Sequence, residues 1–450
     1  MRSPKAALEH GAPLYPLVAK ELAEIVSGRA LWTMLILVCP LIGFSFVEAV
    51  SLYTEASSAA QQSPAAAATL SPLDGILVPT FGSFYVAVTL LFPFVAIRVL
   101  GQEKESGALR LLVQLPYWSS TLVLVKLAAV LAAWAAASIP ALSALVIWAL
   151  LGGHLGASET ANLLFGHSLY GLLVGAISLF AATISDSSAT AAIVALATTI
   201  GSWVLDFTLA GRPGLSAWVA QLSLTQTLHS FEQGLLSAGL VLGMVAVIGG
   251  LAALSTVWLP PGTPTRVKFA RSVPCVLAMV VALGLAAQIR ASVDVTEDRR
   301  NSFSQADQKL LTTLRLPLVV TVNLAPEDPR YIDLRRNVLG KLERAMPNVS
   351  IVLAGIRQDQ AGQSDAYGQI EYVYGGRSDV SRSTSPREIL PLLYALAGTK
   401  PPAPNQGRPE YPGYPLVANA NVSLLWFFCG LPLLIAFAWW RSRLSRAVKS

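Results

Sequence analysis

Charge is what this chain has least of. Only 13% of its 450 residues are Asp, Glu, Lys or Arg, while 54% are hydrophobic. A soluble domain carries roughly a quarter charged residues, so most of this chain is expected to be solvated by lipid or by its own helices. Cysteine is scarce too. Cys39, Cys275 and Cys429 all fall inside apolar runs, which excludes a disulfide framework and a thiolate metal site and leaves packing as their role. None of the four histidines lies between residues 290 and 423. No G-x-x-x-x-G-K-[ST] phosphate loop occurs, so the chain is not expected to bind ATP itself. The 32 basic residues exceed the 26 acidic ones, but most either balance acids in a polar region or flank apolar runs. No basic stripe is left over for nucleic acid.

Long apolar runs are abundant. A membrane-crossing helix needs about 20 mostly apolar residues, and eight windows meet that test: 30–50, 81–100, 122–151, 163–184, 189–210, 235–259, 273–289 and 424–440. About thirty residues precede the first and no small-residue cleavage site follows it closely, so it is expected to stay as an anchor. A polar stretch of about 130 residues separates the seventh and eighth windows. The fold expected is an α-helical polytopic membrane protein with about eight transmembrane helices and one sizeable domain on a single side.

Short loops rich in Lys and Arg stay cytoplasmic. Arg2, Lys5, Lys20 and Arg29 precede the first window; Arg98, Lys104 and Arg110 lie around the second loop; Arg266, Lys268 and Arg271 join the sixth and seventh windows; Arg441, Arg443, Arg446 and Lys449 follow the eighth. Residues 51–80 and 152–162 have no Lys or Arg, and 211–234 have only Arg212. Both termini are therefore expected inside the inner (plasma) membrane and residues 290–423 outside it. Within the windows, Glu48, Lys126 and Asp206 sit near helix ends, where snorkelling accounts for them. That placement disfavours an ion-coupled carrier, which keeps ionisable groups near the midplane. His154, His167 and His229 map to the outer side at unrelated spacings, so no metal site is expected.

Two inner segments carry the most information. From Pro16 to Arg29, Leu17, Val18, Leu22, Ile25 and Val26 recur at helical spacing, while Lys20, Glu21, Glu24 and Ser27 gather on the other face. This is an amphipathic helix that should lie along the membrane surface, with Leu17, Leu22 and Ile25 as its interface. The second segment, Arg98 to Pro116, carries the cluster Glu103, Lys104 and Glu105, a break at Gly107, then a short apolar helix with Leu109 and Leu112. A solvated loop capping two helices would look much the same.

These residues resemble the permease subunits of ABC transporters of the type-2 exporter class. That family has an interfacial helix before the first span, and an E-x-E-x-G-T-L-like motif with a following Pro and a Gly-Lys in the loop into the third span. The matching residues here are Glu103, Glu105, Gly107, Leu109, Pro116 and Lys126, with Ala108 in place of Thr and Val125 in place of Gly. The resemblance covers about residues 14 to 259. It implies that Glu103, Glu105, Gly107, Leu109 and Leu112 belong to a coupling segment seated in a groove of a separate ATPase. Two copies of that ATPase would handle ATP and Mg. The permease itself would work as a homodimer or with a partner permease.

The outer region is similar to the start of the auxiliary subunit of gliding-motility-type (Gld) ABC systems, with its D-x-T-x-x-R-x-x-x-S motif, short helix and Pro-led strand. The matches are Asp294, Thr296, Arg299 or Arg300, Ser304, Leu310, Leu311, Pro317 and the strand 318–324. Read from its own pattern, the region is α/β: strands at 318–324, 349–353 and 370–374, helices at 331–345 and 386–397, and Ser385 as a cap. Strands alternating with helices suggest a small, largely parallel sheet, and the Pro-rich stretch 401–416 a stiff linker. Asp294, Asp298, Asp307, Ser302 and Ser304 lack a histidine partner or a convincing carboxylate pair, so the region is expected to bind or dock, with substrate or an envelope protein as its partner, rather than catalyse.

The sequence thus points to the permease of an ATP-driven exporter with no catalytic, cofactor or metal residues of its own. A motility or envelope-assembly component, passing the ATPase stroke outward without moving a solute, needs the same parts.

Overall fold

The computed structural model describes residues 14–61, 63–209, 224–325, 328–354, 366–402 and 411–447. Arg2, Lys5, Arg212 and Lys449 lie outside them. In chain order the helices of the first half are α1 (Tyr15–Ser27), α2 (Arg29–Ala60), α3 (Pro64–Ala67), α4 (Val78–Glu105, entered through a π turn at Leu73–Leu77), α5 (Ala108–Leu112), α6 (Ser119–Ala137), α7 (Ile139–Leu150), α8 (Ala157–Ile184) and α9 (Ser188–Leu209). Then come α10 (Leu224–Glu232), strand β1 (Leu235–Ser237), α11 (Ala238–Trp258), α12 (Thr265–Gln288) and strand β2 (Ser292–Asp294).

Seven stretches among the described residues are long and apolar enough to cross a membrane: Arg29–Ala60, Leu73–Glu105, Ser119–Leu150, Ala157–Ile184, Ala238–Trp258, Thr265–Gln288 and Asn421–Arg443. The remaining window, 189–210, falls on α9, whose apolar part is described over Ser188–Val204. The protein is a polytopic helical membrane protein, as expected. Its third window is broken at Ser138, where Pro140 sits at the second residue of α7 and cannot donate to the preceding turn. The sixth window starts later than its hydropathy suggests, because Leu235–Ser237 pairs antiparallel with Ser292–Asp294 instead of extending the helix. Residues 260–272 are not simply a linker: α12 begins at Thr265.

α4 and α8 form the centre of the bundle. Two thirds of each apolar window (67%) is buried, against 6% for α12. Close approach at α8 depends on its glycines. A Cβ on Gly171 would stand 2.0 Å from the Trp134 ring, and one on Gly175 2.4 Å from Val130 Cγ1, so no larger residue fits without moving α6. α12 stands on the outside against α11, with Val276, Leu277, Val280 and Val281 exposed as a lipid-facing helix requires.

The polar region folds as α13 (Gln305–Thr313), β3 (Leu318–Val322), α14 (Pro329–Leu334), a π turn at Arg335–Leu339, α15 (Gly340–Ala345), β4 (Val349–Leu353), β5 (Ile370–Tyr374), β6 (Arg377–Ser381) and α16 (Pro386–Ala397). The chain then re-enters the bundle as α17 (Asn421–Leu425), a π turn at Trp426–Gly430 and α18 (Leu431–Ala447). The expected strands are present and Ser385 caps α16 by accepting from Arg387 N at 3.3 Å. The sheet, in the order β4-β3-β5-β6, is mixed rather than largely parallel: only β3 and β4 run parallel. The reason is local. Gly375 and Gly376 both take positive φ, 58° and 82°, which makes a tight turn and adds β6, unanticipated from sequence, as the second strand of a hairpin. Nor does the end of the Pro-rich stretch hang free. Tyr53 donates to Tyr414 O at 2.7 Å, Thr54 donates to Ala418 O at 2.9 Å, and Leu416 N donates to Ser57 at 3.0 Å, so the segment lies along the end of α2.

Candidate functional site

At one end of the bundle, helix α1 packs on the end of α4, the starts of α2 and α6, and α18. The face α1 buries is Leu17, Glu21 and Ile25, spaced four apart, with Leu22 only half-buried. Glu21 therefore does not share an outer polar face with Glu24 and Ser27. It points into the bundle, where it is 1% exposed.

The reason is Lys126, near the start of α6 and 2% exposed rather than snorkelling. Its ammonium donates to Glu21 Oε1 at 2.9 Å and to the Val99 carbonyl at 2.8 Å, and it lies 2.7 Å from Glu103 Oε2. Three polar partners meet a group with three donors. Lys20 of α1 reaches the same carboxylates: it pairs with Glu103 and lies 3.3 Å from Glu24 and 3.4 Å from Glu21. Burial alone would lower the Lys20 ammonium, but the Glu103 hydrogen bond and the charges of Glu21, Glu103 and Glu24 outweigh it and raise it. Burial raises the Glu21 carboxyl, and Lys126 only partly offsets this. The acidic groups of Glu21, Glu24 and Glu103 come within 4.8 Å of one another. Two ammonium groups already occupy the space a cation would need, so the donor set fits lysine rather than a metal.

The next two residues of the motif each close a helix end. Lys104 donates to the carbonyls of Ala182, Thr183 and Ser185 at 3.0, 2.8 and 2.7 Å. These are acceptors left open where α8 stops, and a cation there also complements the helix dipole. Glu105 Oε1 accepts from the N–H of Ser188 at 3.1 Å and from its hydroxyl at 2.6 Å, at the first residue of α9. Glu103, Lys104 and Glu105 thus join the end of α4 to α1, α6, α8 and α9.

Beyond them Gly107 takes φ 78°, a left-handed turn that other residues adopt only with strain. It redirects the chain into α5, where Leu109 and Leu112 face inward, 6% and 8% exposed. The outside is different: Leu111 of α5 is 68% exposed, and Leu115 and Trp118, in the turn between α5 and α6, are 46% and 70% exposed. Of the expected coupling residues, then, Glu103, Leu109 and Leu112 are internal, Glu105 caps a helix and Gly107 makes the bend. The exposed apolar residues were not singled out from sequence, although Leu111 and Leu115 stand four apart. Glu21 was legible in the same way, four residues from Leu17 and from Ile25.

At the opposite end the polar region is clamped onto the bundle. Asp294 organises its own loop, accepting from Thr296 N at 3.1 Å, Thr296 Oγ1 at 2.6 Å and Asn301 N at 3.0 Å. Arg300 pairs with Asp74 in the π turn before α4, donates to Ser71 at 2.7 Å and pairs with Asp298 at 3.0 Å. Of the two candidate arginines it is Arg300 that docks; Arg299 occupies the left-handed turn, φ 52°. Glu297 N donates to Glu159 at 2.7 Å, Ser158 donates to the Val295 carbonyl at 2.9 Å, and Asn301 Nδ2 donates to Gln233 O at 2.7 Å. His154 pairs with Glu297 at 2.9 Å and stacks on Tyr414, whereas the buried His167 and the exposed His229 lie 3.7 and 3.4 Å from Glu232, so His154 stands apart from the other two. Ser304 and Asp307, weighed from sequence as candidate reactive groups, cap α13 and accept from Tyr394 respectively.

The protein is thus a helical bundle with an amphipathic helix at one end and a motif that ties that end together before a short helix with one exposed apolar side. The chain belongs to the ABC-2 family of transporter proteins, whose pattern it matches over residues 15–287. That match runs past residue 259 through almost all of α12, and leaves the α/β region and α18 outside it. No curated protein matches the chain. Members of this family are membrane subunits without ATPase activity of their own, and they pair with an ABC ATPase.

Proposed function

We propose that this chain is the permease of an ATP-driven exporter and that α5 with its flanking residues docks in a separate ATPase subunit. The observation that supports this is the meeting of four helices on Glu103, Lys104 and Glu105 immediately before a turn that exposes Leu111, Leu115 and Trp118. A push on α5 reaches α4 through Gly107 and is shared with α1, α6, α8 and α9, because charge-assisted contacts hold them as one body. Packed bundles respond to such a push by switching between discrete arrangements. ATP and Mg belong to the ATPase, two copies of which would serve a dimer of permeases.

In this reading the end carrying α1 is cytoplasmic, which agrees with the loop charges. The α/β domain lies outside the inner membrane as a fused gliding-motility-type auxiliary unit. Arg300 and Asp74 then link that domain to the start of α4, the helix whose far end carries the motif. One helix connects the ATPase side to the external domain, which would bind substrate or an envelope partner. The test is reconstitution of the chain with its ATPase in vesicles. ATP-dependent solute movement supports export; ATP hydrolysis stimulated by an external protein with no solute moved would replace export by stroke transmission alone.

A further inference from the structure

The cytoplasmic-end junction borders an open cleft of about 670 Å³ that the coupling reading leaves unused. Three arginines from three helices line it: Arg29 at the start of α2, Arg98 of α4 and Arg443 of α18. The acids beside them already have partners: Glu24 and Glu103 pair with Lys20, and Glu105 caps α9. Among the described residues none of the three arginines forms an ion pair, and Arg443 only stacks on Trp439. With Lys20 and Lys126 set against Glu21, Glu24, Glu103 and Glu105, the three guanidinium groups leave the cleft and its junction with one net positive charge, and Gln102, Ser27 and Ser106 stand beside them.

Its depth decides what kind of anion fits. Arg98 lies seven residues before the end of α4, roughly 10 Å along the helix, and Arg29 is the first residue of a crossing helix. Arg98, Gln102 and Glu105 are shared with a second cleft of about 440 Å³ whose remaining lining is Ser188 and the apolar residues Ala30, Phe94, Ile97, Ala189 and Ala192. Cationic above and apolar below, the combined groove matches a molecule with an anionic head and acyl chains. A free anion would make no use of the apolar half. Guanidinium groups suit phosphate because their paired N–H donors match its oxygens.

We infer that this groove binds one anionic phospholipid, its phosphate among Arg29, Arg98 and Arg443 and its acyl chains along α4 and α9. Only the leaflet rests on the proposed orientation. Because Ser106 and Ala108 line the same cleft, the bound headgroup would brace the bend that leads into α5 and tie the last span to the permease.

The full chain, purified and placed in phosphatidylcholine nanodiscs, is titrated with phosphatidylglycerol, and bound lipid is counted by native mass spectrometry. Wild type should retain one phosphatidylglycerol in preference to phosphatidylcholine. A basic residue near a membrane surface contributes about 1 kcal/mol toward an anionic lipid, so Arg98→Gln should weaken retention roughly fivefold and Arg98→Gln with Arg443→Gln roughly twentyfold or more. Arg98→Lys should recover most of the loss. Arg271→Gln, at the same end but outside the cleft, should have no effect. If Arg98→Gln fails to fold, the exposed Arg443→Gln alone carries the comparison. The inference is overturned if the double variant retains lipid like wild type, if Arg271→Gln weakens it equally, or if inorganic phosphate displaces the lipid, which would make the site one for a free anion. ATPase copurification is measured on wild type in parallel: its absence while phosphatidylglycerol is retained counts against the proposed function, not against this site.

Discussion

Lys126 donates to Glu21 at 2.9 Å across 105 residues of chain, with both side chains buried at 2% and 1% exposure. The pair pins the amphipathic helix to the third crossing segment. A charge so enclosed is favourable only while its partners remain, because removing one strands the other in a low-dielectric site.

Replacing Lys126 by Met should therefore destabilise the protein by about 3–5 kcal/mol, leaving Glu21 and Glu103 facing each other. The measurement is the thermal unfolding midpoint in detergent. A midpoint like wild type would mean that the junction contributes no net stability.

Glu21 should make stability depend on pH in an unusual direction. Its carboxyl is raised above 4.5, first by burial and then by the nearby Glu103. The folded state thus holds the proton more tightly than the unfolded chain. The resulting stabilisation is complete below the unfolded value and is lost as pH rises through the raised folded value. Glu21→Gln keeps an acceptor for Lys126 without the titration, so its midpoint should fall less than that of wild type as pH rises above about 4.5. Parallel slopes for the two proteins would remove Glu21 as the source.

The exposed apolar residues of α5 and of the turn after it should separate in mutagenesis from the charges behind them. Leu111→Asp and Trp118→Ala should cut ATPase copurification sharply, by about 2 kcal/mol or more for a central apolar anchor, while leaving the amount of folded permease unchanged. Glu103→Lys should instead lower the yield of folded permease, since Glu103 is internal and not a rim charge. Glu105→Lys, which only uncaps α9, should act more weakly than Glu103→Lys. If Leu111→Asp and Trp118→Ala both copurify with the ATPase normally, the docking surface lies elsewhere.

Arg300→Ala should loosen the external domain without touching the ATPase end. Hydrogen exchange is expected to quicken at residues 71–77 and 294–301, because Asp74 and Ser71 lose their partner. ATPase copurification should stay intact. Unchanged exchange at 71–77 would show that the β1–β2 pairing and Glu159 hold the domain by themselves.

Single cysteines at Ser63 and Ser378, in a background lacking Cys39, Cys275 and Cys429, should react with a membrane-impermeant thiol reagent in intact cells, and one at Thr263 should not. Labelling at Thr263 alone would invert the proposed orientation.

The crossing segments were legible from sequence because a run of about 20 apolar residues has few alternatives in water or lipid. The strands at 318–322, 349–353 and 370–374 and the Ser385 cap were legible for a similar reason: alternation and capping are local rules. Strand order was not, since it depends on which edge β5 joins and on a Gly-Gly turn whose effect is felt only once β5 is placed. The same division runs through the candidate site. Composition marked Glu103, Lys104 and Glu105 as a charged cluster, and helical spacing set Leu17 beside Ile25. Which carboxylate is buried, and that Lys126 is its partner rather than a snorkelling lysine, was decided by packing. Glu21 and Lys126 acquire their roles only when α1, α4 and α6 converge, because charge pairing inside a bundle is fixed by distance in space and by the loss of water, neither of which a linear pattern records.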